Sequence, residues 1–199
     1  MDHTKDEVIK LVSPYLGQIA ECIQSGHDCY FKGTPKSELV DHSPTTKANL
    51  IYDKIVRKIK DTFGQTPGIN LVYQKRMFVM IIANKVLIKF KKFKQGLRVG
   101  NVITKQFLKF QSQQQIEMFP RGVNLYAGYL PDPFGRKIDK IWLACPSYNG
   151  NHWALQLNED EYTKSIIELP LETPKSTIKR VRAKLKSEGV KDGTTDNQS

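Results

Sequence analysis

Cysteine is scarce in this chain: Cys22, Cys29 and Cys145 are its only three, and they follow no metal-ligand spacing. A disulfide framework and a thiolate zinc site are therefore excluded as organising devices, and the cysteines read as reduced thiols of a cytoplasmic protein. Histidine is thin as well. His3, His27, His42 and His152 are scattered with no His-x-x-x-His pair, which argues against zinc hydrolysis. The longest apolar run is about seven residues, Met77 to Ala83, far short of the roughly 20 that span a bilayer. The opening MDHTKDEVIK has charges of both signs and lacks the basic-then-apolar layout of a secretory signal. No membrane partner is expected.

Motifs that carry cofactor chemistry are missing too. There is no Walker A sequence, nucleophile elbow or dinucleotide fingerprint, and GLRVG at Gly96–Gly100 is too short for a phosphate cradle. Acidic residues are absent from Leu71 to Phe93. A metal-dependent nuclease needs clustered carboxylates to hold its divalent ions, and only Asp28, Glu38, Asp41 and Asp53 remain as candidates to converge. Neither a cofactor nor a metal site is expected. No internal repeat occurs, and the one biased run is Gln113–Gln115.

What the chain does have is positive charge, and it is concentrated. The 199 residues carry a net +11: residues 1–50 contribute −2, residues 51–100 contribute +10, residues 101–150 contribute +3, and the remainder is neutral. A charge gathered into one quarter of the chain is suited to meeting an anion. Nucleic acid is the first such partner to consider, and an acidic protein is the second. Apolar content of 39% and aromatic content of 10% supply a core.

The densest basic run follows the most apolar one, in INLVYQKRMFVMIIANKVLIKFKKF at Ile69–Phe93. This reads as a buried strand, a tight turn at Asn84-Lys85, and a second strand. Val86, Ile88 and Phe90 share one face of that second strand; Leu87, Lys89, Lys91 and Phe93 share the other. Lysines with an aromatic on one face suit a phosphate backbone with a stacked base, and they equally suit a solvated edge strand guarded by charge.

Ahead of this core, Thr4 and Glu7 stand at capping-box spacing, and Ser13-Pro14 repeats a helix-start signal. One kinked helix or two short ones should end at Ser25-Gly26. A loop is expected over 26–46, with a short strand at His27–Gly33, and then a helix from Thr45 to Phe63 closed by Gly64 in the left-handed conformation. Ile51, Ile55, Ile59 and Phe63 form its buried stripe, and Lys54, Arg57 and Lys58 lie on its outer surface. Downstream, a helix is expected from Thr104 to about Glu117, and strands at Val123–Leu130, Lys137–Cys145 and His152–Leu157. Asn149-Gly150 turns the last pair. A basic helix over Lys175–Ser187, with Arg180, Arg182 and Lys184 as partner-binding residues, precedes a polar tail.

The runs FKKF, GLRVGNVITKQFLKFQSQQQ, GVNLYAGYLPD and IWLACPSYNGNHWALQL together resemble a group of small bacterial and phage-linked proteins from toxin–antitoxin or phage-defence neighbourhoods. The resemblance covers about residues 70–157 and implies a toxin-like or defence role, without assigning an active residue.

The fold class expected is α+β: N-terminal helices, an antiparallel sheet of about five strands with one inserted helix, and a basic C-terminal helix. Residues 1–172 would form one domain, and residues 173–199 the helix and tail. The leading functional expectation is a cytoplasmic nucleic-acid-binding protein, with Lys54, Arg57, Lys58, Lys89, Lys91 and Lys92 as the electrostatic surface and Phe93 as a stacking platform. One alternative is a protein–protein module, an antitoxin-like inhibitor or adaptor that docks an acidic partner. Another is a metal-independent ribonuclease, for which Tyr148, His152, Arg121 and Arg136 are the candidate acid, base and phosphate-binding groups.

Overall fold

The computed structural model describes residues 4–100, 102–157 and 166–167. Thr4 starts α1 (Lys5–Val12) with a reciprocal capping box: its hydroxyl accepts from the Glu7 N–H, and the Glu7 carboxylate accepts from the Thr4 N–H. A 3-10 turn at Ser13–Tyr15 leads into α2 (Leu16–Gly33). The expected stop at Ser25-Gly26 does not occur, and His27–Gly33 is helical rather than a strand. Gly26 has a different task. A Cβ at this position would lie 2.7 Å from the Ile55 backbone, so the missing side chain lets α2 cross closely over α4 (Pro44–Phe63). A short α3 (Lys36–Asp41) fills part of the expected loop. Helix α4 starts as the sequence suggests, with the Ser43 hydroxyl accepting from the Thr46 N–H and Pro44 in the first turn, and it buries Ile51, Ile55, Ile59 and Phe63. Gly64 closes α4 at φ −57°, in the right-handed region rather than the left-handed one expected.

The sheet is larger than expected and is not wholly antiparallel. Its path runs β1 (Ile69–Gln74), β2 (Met77–Ile82), β3 (Val86–Lys94), β5 (Val123–Pro131), β6 (Ile138–Ser147), β7 (Gly150–Gln156) and β8 (Ile166–Ile167); the two-residue β4 (Arg98–Val99) pairs with β3 off this path. Two features account for the difference. Lys75-Arg76 forms a turn that splits the first expected strand in two. In addition, β3 and β5 pair in parallel, from Val86↔Val123 to Lys92↔Tyr129. Parallel neighbours need a crossover, and here the crossover contains β4 and α5 (Lys105–Gln111). Helix α5, capped by Thr104, is shorter than the expected span to Glu117.

Both faces of the sheet are covered. One packs Phe78, Ile88, Phe90 and Leu125 against α1, α2 and α4. The other packs Val79, Leu87, Phe93, Tyr126 and Trp142 against Leu97, Phe110, Ile116 and Phe119 from the crossover. Gly128 permits the β3 backbone to approach β5 closely, because a Cβ there would collide with the Lys91 carbonyl oxygen. One side chain that fastens the crossover is Gln113. If the β5–β6 register continued, Asn124 would face Pro146, which has no N–H to offer. The Gln113 amide takes that place: its Oε1 accepts from the Asn124 N–H (2.8 Å), and its Nε2 donates to the Asn124 and Pro146 carbonyls (2.9 Å each). The basic C-terminal helix expected over 175–187, with Arg180, Arg182 and Lys184, lies outside the described residues.

Candidate nucleic-acid interface

The second expected strand does alternate as read: Leu87, Lys89, Lys91 and Phe93 point away from the α4 layer. The face they occupy is covered, however, and that changes what each residue does. Phe93 is 0% exposed, packed with Leu97 and Phe110 beneath the crossover, so it is not the stacking platform proposed for it. Lys89 is 8% exposed, and its ammonium lies 4.6 Å from the centre of the Phe110 ring. Lys91 is half-buried and Lys92 is exposed on the opposite, helical side of β3. Lys54, Arg57 and Lys58 decorate α4, also on the helical side. The concentrated charge of residues 51–100 is therefore divided between two faces of the molecule.

On the crossover side it converges. Strands β2 and β3 pair only from Met80↔Ile88 to Ile82↔Val86; beyond that the ladder stops. A cleft of about 220 Å³ opens there, and Lys75, Arg76, Lys89 and Lys91 line it together with Tyr52 and Phe107. Its lining residues include no carboxylate. The Lys75-Arg76 turn brings two of the cations, with φ of 47° and 62°. Positive φ at both central positions is the geometry that matches a two-residue hairpin to strand twist, but lysine and arginine adopt it at a cost. The other two cations stand two residues apart on β3. Burial and the neighbouring Lys91 push the Lys89 ammonium down to about 8, and burial lowers Lys91 as well. Tyr52 reaches in from α4 and is hydrogen-bonded to the Phe78 backbone, while burial pushes its hydroxyl up to about 12.

Such a cleft can hold an anion. Two exposed and two recessed cations with no internal counter-charge gain from an incoming oxyanion, which also offsets the desolvation of Lys89. Of the residues singled out in the sequence, only Lys89 and Lys91 meet here. Lys75, Arg76, Tyr52 and Phe107 were missed. The signal for the first two was a break of two charged residues between INLVYQ and MFVMII, although neither is a favoured residue for a two-residue hairpin turn.

The ribonuclease candidates do not all lie at one end of the sheet. Tyr148 sits in the β6–β7 turn, at the end of the sheet where β5 begins, which is also where exposed Arg121 precedes β5. Arg136 lies in the β5–β6 connection at the opposite end of these strands, and His152 is exposed on β7. Among the described residues, no group of three or more His, Cys, Asp or Glu side chains is placed to hold a metal ion, and no helix is long and apolar enough to cross a membrane. Comparison with protein-family models, with curated proteins and with solved structures returns no match.

Proposed function

We propose that this protein binds nucleic acid in the cytoplasm, with phosphate groups seated in the cleft of Lys75, Arg76, Lys89 and Lys91. One observation carries the reading: four cationic side chains, two from the β1–β2 turn and two from β3, line a single cleft whose lining has no carboxylate. The exposed Lys54 and Arg57 on α4 are displaced to a supporting role in long-range attraction.

The test is binding of labelled mixed-sequence RNA and DNA across a salt series, in EDTA, with the substrate checked on a gel afterwards. Four phosphate contacts to a single strand predict a slope of log affinity against log salt of about −3. The double substitution Lys75→Glu/Arg76→Glu should weaken binding at every salt concentration and flatten the slope. Salt-insensitive binding, or binding untouched by the double substitution, sinks the proposal. Cleavage in EDTA would reopen the metal-independent ribonuclease. A toxin or phage-defence effector is one setting for such binding; growth arrest on expression, lost in the same variant, tests that setting.

A further inference from the structure

The cationic cleft has a neighbour. Phe107, in the first turns of α5, walls it on one side and on its other side walls a second cleft of about 430 Å³. The second cleft is also lined by Arg98, Leu108, Gln111, Tyr148 and Asn149, and by no acidic residue. Its character is aromatic and apolar rather than charged: Tyr148 is 74% exposed and Leu108 40%. Ile103, just ahead of α5, adds further exposed apolar surface at 76%. The walls are held in place, because the Gln111 Nε2 donates to the Ser147 carbonyl at 3.0 Å and ties α5 to the β6–β7 turn.

We infer that the ligand is a single strand of nucleic acid that crosses the start of α5, with a phosphate in the cationic cleft and an adjacent base in the second cleft against Tyr148 and Phe107. This rests on the nucleic-acid reading above. The shared wall places a π-surface beside the phosphate-binding cations, which is how strands are held when bases are unstacked and their faces are free. Arg98 adds a cation, and Asn149 offers polar groups for a base edge. A duplex keeps its base faces stacked and out of reach of both clefts.

The experiment compares four ligands against the intact protein: a single strand, the same strand in duplex form, the same strand with abasic sites, and a polyphosphate. Each is measured with wild type, Tyr148→Ala and Lys75→Ala/Arg76→Ala. Tyr148→Ala should weaken single-strand binding roughly ten-fold with the salt slope unchanged, and it should have no effect on the abasic strand. Lys75→Ala/Arg76→Ala should weaken all ligands and reduce the slope by about 1.4. Equal affinity for duplex and single strand, or for abasic and normal strands, overturns the base-binding cleft while leaving phosphate binding intact. Polyphosphate binding with no affinity for any strand overturns the nucleic-acid reading and this inference together.

Discussion

At the scale of single residues, Lys89 is where burial and charge conflict. Its ammonium is held in contact with the Phe110 ring beside a second lysine, and its pKa falls from the ordinary 10.5 to about 8. A lysine with a folded pKa below its unfolded one destabilises the fold in full below the lower value, and the penalty fades as pH rises to the higher one. Wild-type stability should therefore gain a contribution between about pH 8 and 10.5 that is absent in Lys89→Met. At neutral pH the same variant should be more stable by roughly 2 kcal/mol in denaturant titration; a less stable Lys89→Met would show that the charge is structural. Anion binding has the opposite trend. As pH rises through about 8, Lys89 loses its proton and affinity should drop, well before exposed lysines titrate. A flat affinity from pH 7 to 9 would remove Lys89 from the site.

At the scale of elements, the β1–β2 hairpin and the crossover carry the two halves of the site. Lys75 and Arg76 hold positive φ that asparagine and glycine adopt with less strain. Replacing them as Lys75→Asn/Arg76→Gly should stabilise the hairpin by about 1 kcal/mol and abolish most anion binding. A variant that binds normally would show that the turn's cations are not part of the cleft. Gln113 answers for the other half. In Gln113→Ala, the Asn124 N–H and the Asn124 and Pro146 carbonyls lose their partner, at a cost of about 2–4 kcal/mol. Because Gln113 fastens the segment after α5, affinity for a single strand should fall in parallel. Thermal melting and anisotropy on the same sample check both. This role was hidden in a run of three glutamines, because it exists only where Pro146 interrupts a ladder 33 residues away.

At the scale of the whole molecule, charge that is contiguous in the chain is not contiguous in space. Lys54, Arg57 and Lys92 lie on the helical side, while Lys75, Arg76, Lys89 and Lys91 meet at the seam between β2 and β3. Substitutions on the two sides should act differently. Lys54→Ala/Arg57→Ala should slow association at low salt with little effect once salt is raised, whereas the cleft variants should weaken binding throughout. Removing residues 174–199 tests which part of the chain carries strand binding. Retained strand binding locates the site in the sheet and crossover; its loss would assign the activity to the basic segment at Arg180, Arg182 and Lys184.

The local signals of this protein lie within a few residues of the structure they specify. The Thr4–Glu7 capping box, Ser43-Pro44 ahead of α4 and the four-residue spacing of its apolar stripe formed as read, because caps and periodicity depend on neighbours in the chain. The β6–β7 hairpin formed too, but with Tyr148-Asn149 at its tip, Gly150 paired to Ser147 and no positive φ at the Asn-Gly pair. The alternation of β3 was equally legible, down to which residues share a face. Only the tertiary structure decided that this lysine face is roofed by the crossover, which buries Phe93 and recesses Lys89. It also decided that Gly26 marks a helix crossing rather than a helix end, and that β2 and β3 part to open a cleft. Side-chain alternation tells one face of a strand from the other; what covers each face is determined by segments that meet it from elsewhere in the chain.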